Sequence, residues 1–338
     1  LINIFSIIFS FLFCMFLTIS FIPIAHKLGR NLNIIDFPDK KRKIHQKPLP
    51  RTAGIAIALS VILTFFFFPK EKIIYYLIPF SLLFFTIGFV DDTGIKIRNI
   101  YKWLIGAGIV LIFSILTPFK IQELGNLMGF GKISMNFVIS LIFSIFAINC
   151  VVHSFNLIDG IDGLAGGVSF LAGLSFAFLN FRNSDFYLAC VSAGIAGASL
   201  GFLFYNFYPA KIFLGDAGSF FLGAMITGIS VFSAKTGYGG VKPIQAVLIL
   251  SLPISDMMWT VLRRGFTTKN IFDSDLTHLH YRVFKKIKSQ RKTVVLLLAL
   301  SVLFSLEAIF LENLPDYILF LIFWINFFIV GFLDKIFK

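Results

Sequence analysis

The sequence predicts an all-α, polytopic integral membrane protein, read as a single transmembrane domain over residues 1–338. Three observations carry that reading. Of the 338 residues, 57% are hydrophobic and only 14% are charged, whereas a soluble domain carries about a quarter charged residues. Apolar runs recur from end to end, each near the length of about 17 to 25 residues that crosses a bilayer as a helix. Lysine and arginine are divided unequally between the alternating loops that these runs define. A chain with so little polar sequence must satisfy its backbone inside each span, and helices do this.

The runs place eleven spans at about 1–25, 52–69, 73–90, 101–119, 134–153, 165–181, 186–205, 218–234, 243–262, 292–312 and 316–333. The sixth, seventh and eighth are short and rich in Gly and Ser, which predicts close helix packing inside a bundle. The first has neither a basic leader nor a small-residue cleavage site, and is expected to be a retained span. The 45 Phe residues, Phe65 to Phe68 among them, are bulk for a lipid-facing surface rather than a cofactor box. Cys14, Cys150 and Cys190 lie in or beside apolar runs and suggest neither a disulfide framework nor a metal set.

Loops after the odd-numbered spans, with the C-terminal tail, hold 23 of the 30 Lys and Arg residues, and the opposite side holds 7. The richer side is expected to be cytoplasmic. The net charge of +13 is then largely a skin facing anionic lipid. No soluble basic domain exists to bind nucleic acid. The acids divide as well. The rich side holds Asp36, Asp39, Asp91, Asp92, Asp159, Asp162, Asp216, Asp273, Asp275 and Asp334, with Asp256 near the inner end of the ninth span. The poor side holds Glu71, Glu123, Asp185, Glu307, Glu312 and Asp316. Every acid of the rich side sits by a loop motif or the tail, which predicts one site assembled from several loops on that face.

Five stretches carry chemistry. GFVDD, Gly88 to Asp92, sets two carboxylates side by side at a helix end. They repel one another there and gain nothing from the helix dipole, a conflict that a divalent cation removes; Mg²⁺ takes one or two carboxylates and completes its shell with water and phosphate. In FNLIDGIDGLAGG, Phe155 to Gly167, the side chains Asn156, Asp159 and Asp162 recur every three residues and share a face on a helical turn. The glycines among them let backbone N–H groups approach an anion. KIFLGDAGS, Lys211 to Ser219, places Asp216 before an apolar span as a third metal carboxylate or a helix cap, with Lys211 in reach of phosphate. DLTHLHYR, Asp275 to Arg282, brings His278 and His280 into a basic loop; no Cys or third His stands nearby for zinc, so phosphate or leaving-group contact is the better reading. KKRKIHQKPLPR, Lys40 to Arg51, is a basic first loop for anionic lipid, with His45 a candidate substrate contact. Carboxylates, basic groups and phosphate-friendly backbone on one face are the kit of phosphoryl transfer. A secondary transporter also uses acids and Gly-broken helices, but its site lies near the midplane, not at one face.

These motifs, in this order and spacing from about Asp36 to Arg282, resemble the polyprenyl-phosphate N-acetylhexosamine-1-phosphate transferases of bacterial envelope synthesis, and within them the GlcNAc-1-phosphate branch. The resemblance implies transfer of a sugar-1-phosphate from a UDP-N-acetylhexosamine, GlcNAc first, to undecaprenyl phosphate, with Mg²⁺ (Mn²⁺ as the alternative) as cofactor and UMP as product. It implies a bacterial cytoplasmic membrane, a cytoplasmic-face site, and an O-antigen, teichoic acid or related polymer downstream; a homodimer is left open. Carried over by position, Asp91, Asp92 and Asp159 are implied catalytic acids, with Asp92 and Asp216 at the metal. Asn156 and Asp162 line the nucleotide site, Asp162 near the uracil; Asn206 and Phe213 contact uridine; His278 and His280 face the pyrophosphate or sugar. Against the family pattern, Tyr281 stands where a last His is usual, His153 where an Asn is usual and Ala53 where a Gly is usual. The peptidoglycan branch, which carries a muramoyl-pentapeptide, usually shows three consecutive histidines in this loop.

Overall fold

The long apolar runs form helices whose breaks follow proline and whose contacts follow glycine. A computed structural model describes residues 4–38, 47–66, 71–234, 240–265 and 278–337. Its helices are α1 (Ile4–Asn31), α2 (Ala53–Phe66), α3 (Lys72–Asp92), α4 (Asn99–Leu116), α5 (Phe137–Ile158), α6 (Leu164–Arg182), α7 (Phe186–Asn206), α8 (Gly215–Ser233), α9 (Pro243–Ile249), α10 (Ser251–Gly265), α11 (Leu279–Ile287), α12 (Gln290–Phe310) and α13 (Asp316–Ile336). Each of the eleven expected spans meets one of these helices or, for the ninth, a pair. Nine are long and apolar enough to cross a membrane among the described residues, and α2 is a shorter apolar helix. The protein is a multi-pass helical membrane protein.

The ninth span differs from expectation: it is broken into α9 and α10, bent by 79°. Pro253 explains the position. It has no N–H for the carbonyl of Ile249, four residues back, and its ring crowds that carbonyl; Ile249 is the last residue of α9. Two antiparallel hairpins and α11 were not expected. Strand β1 (Ile35–Asp36) pairs with β2 (Leu49–Pro50) at the base of the first loop, and β3 (Glu123–Gly125) with β4 (Ile133–Ser134) at the other end of the bundle.

The Gly- and Ser-rich spans are the centre of the bundle, as their composition predicts. The buried share of the apolar window is 72% in α6, 83% in α7 and 89% in α8, against 22% in α1 and 28% in α13. Small residues let these backbones approach one another. Helix α7 packs on α1 and α6, and α8 packs on α3. At Gly88 the approach is closest to the site: a Cβ there would lie 2.2 Å from the Asp216 carbonyl carbon and 2.3 Å from the Ala217 nitrogen.

The two ends of the bundle use their acids differently. Away from the motifs, Asp185 caps α7 through the Leu188 N–H at 2.9 Å, and Glu307 accepts from Asn326 at 2.6 Å. Glu312 pairs with Arg182 at 2.6 Å, and Asp316 holds Lys242 at 3.3 Å and accepts from the Asn126 N–H at 2.8 Å. Those acids are architectural. Gly88→Val is expected to cost about 1–3 kcal/mol or more, because the neighbours it meets are backbone. Thermal unfolding in detergent checks this, with Gly108→Ala, where nothing lies within 4 Å, expected to be neutral or slightly stabilising.

Candidate active site at the motif end of the bundle

Helix α8 begins without a side-chain cap of its own, since its N-cap is Leu214. The first N–H groups of a helix need partners, and Asp92 supplies them from the last turn of α3. Its Oδ1 accepts from the Asp216 N–H at 3.1 Å and its Oδ2 from the Ala217 N–H at 2.9 Å. Asp91 is about 100° further round the helix and faces elsewhere. Its Oδ1 accepts from the Ile97 N–H at 2.8 Å, closing the turn into α4. Its Oδ2 lies 3.0 Å from Nζ of Lys102. The same ammonium lies 2.6 Å from Oδ2 of Asp216. The conflict expected between Asp91 and Asp92 is thus resolved inside the chain: one carboxylate caps a helix and the other shares a buried lysine with Asp216.

Lys102 was not among the expected site residues, having been counted only as loop charge. Its side chain is 7% exposed, while those of Asp91 and Asp216 are 19% and 26% exposed. A lone lysine one turn into an apolar helix was the available signal. Arg51, paired to Asp36 at 2.7 Å, lies within electrostatic range of Asp92 and Asp216 and adds a second cation.

The loop from α5 to α6 is tied in from three sides. Asn156 donates to the Ser219 hydroxyl at 2.9 Å, which in turn donates to the Asp216 carbonyl at 3.1 Å. Asp162 accepts from the Ala210 N–H at 3.0 Å. Asn206, buried, accepts from the Gly163 N–H at 2.8 Å and donates to the Ile212 carbonyl at 2.9 Å. Both ends of the Asn206 amide therefore brace two loops against each other. Phe213 is half-buried, and its main chain bonds to the Pro50 carbonyl at 2.9 Å and the Ala53 N–H at 3.2 Å. Ala53 thereby joins the first loop to the entry of α8. Lys211 is exposed at the rim. His45, Asp39, Asp273 and Asp275 lie outside the described residues.

The histidines close the other side. His280 is 1% exposed, and neither ring nitrogen has a hydrogen-bond partner among the described residues. Its ring rests on Gly160, where a Cβ would lie 2.0 Å from Nε2; any side chain there would displace the imidazole. Burial pushes His280 down to about 3, so it is neutral. Tyr281 packs on it with ring centroids 4.2 Å apart. His278 lies parallel to His280 at 5.8 Å and bonds to Asp256. His153 faces the edge of Phe220 on α8 at 5.0 Å, with Nε2 unpartnered.

Asp159 is part-buried between these groups. Burial first, then the Asp216 carboxylate, pushes it up to about 8, against the pull of Arg51. The donor set suits a hard cation: Asp91 and Asp216, from different helices, are part-exposed oxygen donors that already converge on one positive charge. Among the described residues no group of three or more metal-type side chains comes together.

Two outcomes follow. Lys102→Met leaves two carboxylates without their shared cation and is expected to cost about 1–3 kcal/mol. Thermal unfolding of Lys102→Met, Asp216→Asn and the double variant checks this, the double losing less than the sum of the singles. For Asp159 the folded carboxyl holds its proton to higher pH than the unfolded one, so its contribution to stability is complete in acid and is lost as pH rises toward about 8. The melting temperature should therefore decline from about pH 5 to pH 8, and decline less in Asp159→Asn.

The chain is similar to known proteins over much of its length. The model of the family described as glycosyl transferase family 4 matches residues 74–234, a segment holding Asp91, Asp92, Lys102, Asn156, Asp159, Asp162 and Asp216. The chain is 28% identical over 325 residues to a probable undecaprenyl-phosphate N-acetylglucosaminyl 1-phosphate transferase of Bacillus subtilis (strain 168), covering 94% of this chain and 88% of that protein. It is 25% identical over 335 residues to the undecaprenyl-phosphate alpha-N-acetylglucosaminyl 1-phosphate transferase of Escherichia coli (strain K12), covering 94% and 88%. It is 27% identical over 301 residues to the decaprenyl-phosphate N-acetylglucosaminephosphotransferase of Mycobacterium leprae (strain TN), covering 80% and 75%. The chain is thus similar to glycosyl transferase family 4 over residues 74–234, and the relatives that match nearly its whole length are named as sugar-phosphate transferases.

Proposed function

We propose that this protein transfers N-acetylglucosamine-1-phosphate from UDP-N-acetylglucosamine to undecaprenyl phosphate, giving an undecaprenyl-pyrophosphoryl sugar and UMP. The observation that carries the reading is the Asp91–Lys102–Asp216 cluster, set at one end of the membrane bundle beside the braced 156–163 loop. The names of the relatives supply the acceptor and the sugar. With 23 of 30 basic residues on the motif side, that end faces the cytoplasm, where a nucleotide sugar is found. The membrane is then the bacterial cytoplasmic membrane.

A phosphate oxygen of the lipid attacks the sugar-bearing phosphorus, and the bond to the UMP phosphate breaks with its electron pair leaving on UMP. The acceptor is already anionic, so the main obstacle is bringing two anions together, and charge neutralisation and positioning remove it. Mg²⁺, held by Asp216 with Asp91, supplies that neutralisation when bound. Lys102 keeps these two carboxylates together and offers an ammonium to a phosphate oxygen. Arg51 adds a second positive charge within electrostatic range of Asp216. Asp92 contributes by holding the start of α8, and hence Asp216, in place. Phe213 offers a half-buried ring to the uracil, with Asp162 and Asn206 fixing the loops around it. Lys211 stands at the entrance for phosphate, and His278 and His280 face the pyrophosphate.

The test is UMP release by purified protein in detergent with undecaprenyl phosphate and Mg²⁺, comparing UDP-N-acetylglucosamine with the UDP-muramoyl-pentapeptide and adding EDTA as a control. Turnover with the first donor only, abolished by EDTA, is expected. Asp216→Asn and Asp91→Asn should each lower kcat by about 10²–10³-fold or more while the protein stays folded. No UMP from either donor overturns the reading.

A further inference from the structure

Asp256 has no part in the reaction just described, yet it is 5% exposed in a mostly apolar bundle. It lies in α10, shortly after the break that follows α9, and faces α11. Its two oxygens go to consecutive residues. Oδ1 accepts from the Leu279 N–H at 2.9 Å, and Oδ2 lies 3.2 Å from Nδ1 of His278. Thr260, one turn further along α10, places its hydroxyl 3.4 Å from the same Nδ1. An ionised carboxylate can only accept, so the bond at Oδ2 places a proton on Nδ1 and leaves Nε2 for the substrate. The groups that face His278 are Asp256 and Thr260 from α10 and the stacked ring of His280 from α11; Asp334 of α13 lies in electrostatic range of Asp256.

Anchoring α11 does not need this arrangement. The Leu279 bond alone caps the helix, and α11 is also tethered by Arg282, whose Nη1 lies 3.1 Å from Asp334 Oδ2. The second oxygen of Asp256 goes to the imidazole instead. Resting on the transferase reading above, we propose that Asp256 is a positioning residue for that reaction: through Nδ1–H it fixes the orientation of His278 and supports the doubly protonated ring whose Nε2–H is offered to a phosphate oxygen of the nucleotide sugar.

Asp256→Asn keeps the size and removes the charge. With full-length protein in nanodiscs, kcat should fall by about 10–100-fold, with KM for the nucleotide sugar within about twofold and the alkaline limb of the kcat profile moved to lower pH. Asp256→Glu should recover part of kcat. Asp334→Asn, which loosens α11 without touching His278, should lower the melting temperature and leave that limb in place. Independently of activity, the ¹⁵N spectrum of histidine-labelled protein should show a protonated Nδ1 that His278→Gln removes and Asp256→Asn shifts. Wild-type kcat, limb and spectrum in Asp256→Asn would overturn the proposal. So would a loss of kcat that only tracks the melting temperature, as in Asp334→Asn. If Asp256→Asn does not fold, Asp256→Glu decides: an unchanged limb and spectrum there overturn it too. A wild-type protein that releases no UMP refutes the transferase reading instead, and the spectrum still decides whether Asp256 holds His278.

Discussion

The site depends on a helix that cannot cap itself. Helix α8 starts at Gly215 behind an apolar N-cap residue, and its first N–H groups are claimed by a carboxylate from another helix. That joint requires α3 to lie almost against the α8 backbone, which Gly88 permits. One consequence is that Asp216 is fixed through its own N–H, so its side chain leaves the helix start in a set direction. Another is that Asp91, next to the capping residue but turned away from it, meets Lys102. A pair of adjacent acids thus divides its labour by helical geometry alone: Asp92 braces, and Asp91 faces the working side.

The two ends of the bundle balance their charges differently. At the far end Glu307, Glu312 and Asp316 each meet a donor or cation of the chain. At the motif end one ammonium serves both Asp91 and Asp216, and the Asp216 and Asp92 carboxylates add to the cost of ionising Asp159. Lys102 spans the two carboxylates and Arg51 adds a second cation within electrostatic range, while Asp91 and Asp216 keep part-exposed oxygens, the hard donors that a divalent cation takes.

Much of this was legible in the sequence, because membrane spans announce themselves by length and polarity. The apolar runs match the helices, and loop parity brought Asp91, Asp159, Asp162, Asp216 and the histidine loop to one end. The break of the ninth span could have been read from Pro253. The hairpins could not, since two- and three-residue strands carry no period. Lys102 was hidden by arithmetic: at a span edge it looks like any other positive-inside residue, and only its partners distinguish it. The roles of Asp92 and Asn206 were hidden for a different reason. Both bond to backbone groups far away in sequence, 125 residues for Asp92 to Ala217 and 43 for Asn206 to Gly163, and no local pattern encodes a tertiary cap.

The histidine arm shows how one substitution shifts the burden of charge. Tyr281 occupies a place where a third imidazole would add a titratable cation. Burial holds its phenol up to about 12, so it stays neutral while its ring covers His280. His280, buried and without a hydrogen-bond partner among the described residues, stays neutral too. His278, by contrast, is bonded to the Asp256 carboxylate. Among the described residues, fixed positive charge reaches the acids from Lys102 of α4 and Arg51 of the first loop, while α11 brings the rings of His280 and Tyr281 against Gly160 and against each other.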